Sequence, residues 1–229
     1  TKQSNDNWPV PNRHLVYNEP YCTVNQRQRC NETEDISHMP AAPLGYQRRN
    51  SMRYHGYDYT QAGAYFVTFC AHRGRMLFGT IHNHTMLFNP LGQIAAACWV
   101  EFAKRHPEVL VDAYVIMPNH VHVLLWILIN SGEARAGAPA NTRRFGEAIA
   151  GSVSTLIGAY KGAVTQNAVN QGLLPQDKLW QRGFWDNIVR GEQDLHRIRD
   201  YISTNPARWI DDQLHPNALP NRYNRAWQR

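Results

Sequence analysis

Residues 115–126, VIMPNHVHVLLW, put two histidines two positions apart, at His120 and His122. In an extended strand, alternate side chains share a face. The two rings then leave the strand side by side, from Cα atoms roughly 6.6 Å apart. Their nitrogens can converge on one ion. Val121, Val123 and Leu125 point the other way and suit a buried face. Residues 195–206, LHRIRDYISTNP, have helical spacing instead. Tyr201 and Asn205 are four apart and stack on one side of a helix. Leu195, Ile198 and Ile202 form its apolar stripe. Two imidazoles and one amide oxygen suit a hard divalent ion, Mg²⁺ or Mn²⁺, with positions left open for phosphate oxygens. The phenol of Tyr201 is the candidate nucleophile. Zn²⁺ more often recruits a cysteine, a third histidine or a carboxylate.

Taken singly, each segment also fits a plain structural role. The histidines suit a half-exposed sheet surface, Tyr201 a core-edge aromatic, and Asn205 a helix end before Pro206. His82 and His84 share the same spacing but fall between two short apolar runs, 76–81 and 86–88. A hairpin turn is expected there, and nothing in a turn aims both rings at one point.

The elements that must hold these residues follow from the apolar pattern. Residues 64–72, AYFVTFCAH, read as a strand, as do 109–116 and 119–129. Pro90 opens a helix that runs to about Arg105, with Ile94, Ala97, Cys98 and Phe102 on one side. Further helices are expected over 145–169 and 191–204, the last stopped by Pro206. Residues 186–190 read as a short strand after a Trp- and Pro-containing loop, 174–185. The order ββαββ followed by helices gives an α+β fold, a central antiparallel sheet with helices packed against it.

At 229 residues, 43% hydrophobic and 18% charged, the chain has a globular composition that excludes collagen-like and coiled-coil architectures. Residues 1–45 are polar and proline-broken and read as an irregular extension; 130–144 read as a loop; 211–229 read as a C-terminal tail. No apolar run is long enough to span a bilayer, and a cytoplasmic protein is expected. Cys70 and Cys98 sit among apolar residues and read as buried thiols, while Cys22 and Cys30 stand apart in the extension. The net charge of +6 allows a polyanionic partner. Candidate phosphate and base contacts are Arg48, Arg49, Arg53 and Tyr54, and a second group of Trp180, Arg182 and Trp185. Either group could instead be an ordinary charge cluster or core filling.

Several separate stretches, in collinear order from Arg48 to Trp209, resemble one family. They are GYDYTQAGAYFVTFCAHRGRMLFG, MPNHVHVLLW, the helix holding Ala159-Tyr160-Lys161-Gly162, LWQRGFWDNIVR and IRDYISTNPARW. They are similar to the HUH single-strand transposases, and more narrowly to the REP-associated tyrosine transposases. The resemblance implies a ferredoxin-like sheet and a catalytic domain over 46–210. It implies an enzyme that cleaves and rejoins single-stranded DNA beside hairpins through a covalent 5′-phosphotyrosine, acting in the nucleoid. His120, His122 and Asn205 match the metal ligands of that motif, and Tyr201 matches the nucleophile. Tyr160, on a helix beside Lys161, is a second candidate nucleophile. A non-catalytic hairpin-binding protein and a zinc hydrolase are the rival readings. Monomer or homodimer, and use of Tyr201 on its own chain or a partner's, are left open.

Overall fold

The computed structural model describes residues 59–128, 150–173, 178–221 and 223–224. Arg48, Arg49, Arg53, Tyr54, Cys22, Cys30 and the loop expected over 130–144 lie outside the described residues.

The chain runs through β1 (Gly63–Cys70), β2 (Gly79–His82), β3 (Thr85–Phe88), α1 (Pro90–Arg105), β4 (Val109–Ile116), β5 (His120–Ile127), α2 (Val153–Asn170), β6 (Trp185–Ile188) and α3 (Glu192–Thr204). The main sheet has the order β4-β5-β1-β6, with every neighbouring pair antiparallel. β1 and β4 therefore run parallel with β5 between them, joined by the α1 crossover. β5 and β6 likewise flank β1, joined through α2. Two interleaved split β-α-β units make the ferredoxin-like arrangement, an α+β fold.

Sequence alternation sets the two faces of this sheet. Tyr65, Val67 and Phe69 of β1 and Val121, Val123 and Leu125 of β5 form one core with the apolar sides of α1 and α2. Ala64 of β1 and Leu124 and Trp126 of β5 point the opposite way and meet Leu195, Ile198 and Ile202 of α3. The sheet is thus covered on both sides, and all eight residues of β5 are buried. His120 and His122 lie on the α3 side, in phase with Leu124 and Trp126.

Local signals explain the element ends. Asn89 caps α1, its side chain accepting from Gly92 N at 2.9 Å, and Pro90 fills the first turn, where its missing N–H removes no bond. Gly92 itself is required, because a Cβ there would stand 2.0 Å from the Phe78 carbonyl oxygen. Asn83 and His84 have φ of 47° and 62° and form the two-residue turn between β2 and β3. Their neighbourhood is that expected of a hairpin tip. Cys70 and Cys98 are free, buried thiols.

One difference from the expected elements bears on function. α3 ends at Thr204, but Pro206 does not end the helical winding. Residues Asn205–Asp211 continue as 3-10 turns, with the proline in their first turn, where its absent N–H leaves no acceptor orphaned. This turn returns the segment read as a tail to the sheet, and Asp212, Leu214 and Asn224 are buried.

Candidate active site

β5 supplies the two imidazoles. Their Nε2 atoms are 3.0 Å apart, on rings whose centroids are separated by 4.5 Å. Each Nδ1 is engaged by a neighbour. Thr68 lies directly opposite His122 across the β1–β5 pair, and its Oγ1 is 2.7 Å from His122 Nδ1. Asn119 Oδ1 is 2.8 Å from His120 Nδ1. Both rings are buried.

α3 brings the phenol. Tyr201 Oη lies 3.2 Å from His122 Nε2 of the same chain, and its ring stands edge-on to Phe66 at 5.9 Å. The residue is 37% exposed and stands at the rim of the buried histidine pair. Asn205 follows one turn later. Its Nδ2 donates to Asp212 Oδ2 at 3.1 Å, while its Oδ1 is buried without a hydrogen-bond partner among the described residues. Asp212 Oδ2 is also 3.9 Å from His120 Nε2, and Asp212 Oδ1 accepts from Leu214 N.

His120, His122 and Asp212 bring their ligand atoms within 4.8 Å of one another. A buried cluster of two facing imidazole nitrogens, a carboxylate and an orphaned amide oxygen fits a divalent cation. Asp212 adds a carboxylate to the expected donor set. That carboxylate suits Mg²⁺ and Mn²⁺, and it also suits Zn²⁺.

Electrostatics agree with this use. Burial depresses the His120 pKa to about 3, so its contact with Asp212 is not an ion pair. Burial, followed by the neighbouring His120, pushes His122 in the same direction. Both rings are neutral and able to ligate at physiological pH. Burial raises the Tyr201 pKa, and the negative charge of Asp212 raises it further. A cation at the histidines opposes both effects. The histidine shift also has a stability consequence. An unfolded His120 takes a proton near pH 6.5, whereas the folded one takes it near pH 3. Stability is full above pH 6.5 and falls as the pH drops toward 3. At pH 5 the loss from His120 is about 2 kcal/mol. Urea unfolding at pH 7.5 and pH 5 should show the midpoint fall; an unchanged midpoint contradicts the buried, neutral ring.

A separate clasp holds α3 over the histidines. Asp112 sits where the β4–β5 register shifts between Val111 and Ala113. Its carboxylate accepts from Arg199 Nε at 2.8 Å, Arg199 Nη2 at 2.6 Å and Trp126 Nε1 at 2.8 Å. Arg199 is two residues before Tyr201, so this bidentate pair fixes the tyrosine's helix to its own sheet. Arg199→Ala leaves a carboxylate that is 7% exposed without its cation. The expected loss is about 3 kcal/mol by urea unfolding, and Arg199→Lys should recover only part of it, since one ammonium cannot replace the fork.

The remaining sequence candidates fall in different places. Trp185 pairs with Thr68 across β1 and β6, so it shares the histidine face two strands from His122. Its ring meets Tyr223 edge-on at 5.3 Å. Arg182 is exposed on the preceding loop. Trp180 turns to the other side of the sheet, with ring centroids 5.3 Å from Phe69 and 5.2 Å from Phe78. Lys161 donates to the carbonyls of Gln181 and Gly183 and so ties this loop to α2. Tyr160 stacks on Trp99 at 3.8 Å, donates to the Ala95 carbonyl and is fully buried on the side away from the histidines. Sequence reasoning passed over Thr68, Asn119 and Asp212. Asn119 adjoins His120, but Thr68 is visible only through strand register, and Asp212 only through the 3-10 winding.

No family model matches the chain. An uncharacterised Haemophilus influenzae protein is 32% identical over 174 residues, covering 75% of this chain and 95% of that protein. A candidate REP-associated tyrosine transposase of the same organism is 23% identical over 179 residues, covering 74% of this chain and 90% of that one. Among solved structures, a REP-associated tyrosine transposase bound to a REP hairpin aligns with a TM-score of 0.44 at 19% identity, over 69% of this chain and 73% of that one. A candidate transposase from Deinococcus radiodurans R1 aligns with a TM-score of 0.36 at 17% identity, over 66% of this chain and 94% of that one. Both scores are below 0.5, and neither alignment carries an argument. In sequence the chain is similar, at 23% identity, to a candidate REP-associated tyrosine transposase, while its 32% identical relative is uncharacterised. Among the described residues, no helix is long and apolar enough to cross a membrane.

Proposed function

We propose that this protein is a metal-dependent endonuclease and strand-transfer enzyme that cleaves and rejoins single-stranded DNA beside hairpins. The observation that carries the reading is the Tyr201 hydroxyl at 3.2 Å from His122 Nε2, within one chain, at the rim of a buried histidine pair. On this reading the nucleophile and the cation ligands come from one chain.

His120, His122, Asp212 and Asn205 would hold a divalent ion, Mg²⁺ or Mn²⁺. When bound, that ion supplies charge neutralisation at the scissile phosphate and lowers the pKa of the nearby phenol. Tyr201 would give its phenolic proton to solvent and attack phosphorus in line through the phenolate oxygen. The P–O bond to the 3′ oxygen breaks and that oxygen takes a proton from solvent, leaving a 3′-OH and a 5′-phosphate esterified to Tyr201. The ester conserves the phosphodiester bond for rejoining, which attack by water would not. Phe66, stacked on His122 at 5.4 Å, keeps the ring against the sheet and water away from it. Arg182 and Trp185 would take a phosphate and an unstacked base of a strand leaving the site; exposure of Arg182 and the shared face of Trp185 and Thr68 support this reading. Arg48, Arg49, Arg53 and Tyr54 belong to the same proposal as hairpin contacts, and Trp180 supports it by shaping the loop that carries Arg182.

Incubation with end-labelled hairpin DNA bearing a single-stranded flank, with Mn²⁺, should give a nicked product and a protein-linked band. EDTA should remove both. Binding without nicking would favour a hairpin-binding protein without catalysis. Nicking retained in EDTA would remove the cation from the proposal.

A further inference from the structure

Asn119 is completely buried, and its side chain has only one orientation that satisfies its neighbours. One end faces two carbonyl oxygens, Leu214 O at 2.7 Å and Gly74 O at 3.3 Å. Only the NH₂ group can face two acceptors, so the other end is Oδ1. That oxygen is 2.8 Å from His120 Nδ1 and must accept from it. His120 therefore carries its proton on Nδ1, and its Nε2 presents a lone pair. The partner of Nε2 is His122 Nε2, at 3.0 Å. Two lone pairs facing at that distance are what a shared cation satisfies, and His122 Nε2 also meets the Tyr201 hydroxyl at 3.2 Å. His122 Nδ1 meets the Thr68 hydroxyl at 2.7 Å, a group that can either donate or accept.

We infer that the two ligands are held differently: Asn119 locks His120 in the ligating tautomer, whereas the Thr68 hydroxyl, able to donate or accept, holds the His122 ring without fixing its tautomer. This rests on the reading of the histidines as cation ligands. With His120 fixed on Nδ1–H and His122 free to present Nε2, both rings can ligate as neutral imidazoles, so binding needs no net proton release. Asn119 also holds the Leu214 carbonyl, and Leu214 N donates to Asp212, so the same amide keeps the carboxylate turn against the histidine strand. Asn119 and Thr68 are positioning residues: neither touches the ion or the substrate.

The test is ¹⁵N NMR of the histidine rings in the full chain, which needs no variant to fold. Without added cation, the expected pattern is His120 protonated on Nδ1 alone and His122 in exchange between its two tautomers. Titration with Zn²⁺, a diamagnetic probe, should settle His122 in the Nδ1–H form and leave His120 unchanged. Calorimetry of Mn²⁺ binding in buffers of different ionisation enthalpy should show close to zero proton release. Asn119→Ala and Thr68→Val should each weaken Mn²⁺ binding by about 10- to 100-fold. His120 found with its proton on Nε2, or both variants binding Mn²⁺ within twofold of the parent, overturns the inference. Failure to bind any cation would defeat the metal reading, yet the His120 tautomer without added cation would still decide the role of Asn119.

Discussion

Tyr201→Phe should abolish the covalent protein–DNA product and reduce nicking by at least about four orders of magnitude, the scale seen when a nucleophile is removed. Hairpin binding should be unchanged. The variant loses one oxygen at a site that is 37% exposed. Its ring keeps the edge contacts with Phe66 and His122. The lost contact to His122 is one partly solvated hydrogen bond, so stability should change by about 1 kcal/mol or less. Loss of the adduct with folding and DNA binding intact separates chemistry from structure. Tyr160→Phe supplies the control: its hydroxyl is buried against the Ala95 carbonyl on the far side of the sheet. That substitution should lower stability by about 1–3 kcal/mol and leave the adduct in place.

The second large effect is at the cation site. His122→Ala removes a ligand nitrogen and also the contact that faces Tyr201. Nicking should fall by at least about three orders of magnitude, a loss that raising Mn²⁺ does not restore. Asp212→Asn is the more informative partner. It keeps the shape of the turn and an acceptor for Leu214 N, but removes the only charge among the donors. Mn²⁺ affinity should drop by about two orders of magnitude, since ligand charge dominates affinity for hard ions. Asn205→Ala removes a neutral oxygen and should cost less. A larger loss in Asn205→Ala than in Asp212→Asn, measured by calorimetry, would mean that the amide, as expected from the sequence alone, is the stronger third ligand. An unaltered affinity in Asp212→Asn would take the carboxylate out of the site.

The helices and strands around the site were legible because their periods are clean. α1 starts at Pro90 and ends at Arg105, where the apolar spacing stops. β4 spans Val109–Ile116 as its β-branched run suggests. The phase of His120 and His122 against Val121, Val123 and Leu125 is a local property of β5, so their common face could be read directly. So could the shared side of Tyr201 and Asn205, against the Leu195, Ile198 and Ile202 stripe. What the residues alone did not carry was anything decided between elements. Thr68 reaches His122 because β1 and β5 pair in one register out of many. Asp212 reaches His120 because 3-10 winding after Pro206 returns the chain, whereas a proline after a helix more often signals departure. Trp180 and Trp185 are five residues apart in one loop-and-strand segment, yet they end on opposite sides of the sheet. Composition cannot separate a core ring from a stacking ring.

Protease digestion of the trapped protein–DNA complex, followed by mass spectrometry of the nucleotide-bearing peptide, tests the attacking group directly. The expected fragment contains Tyr201 carrying a 5′-phosphate-linked nucleotide, with a free 3′-OH on the released strand. A nucleotide attached to any other residue, or complete nicking with no covalent fragment under trapping conditions, contradicts Tyr201 as the nucleophile.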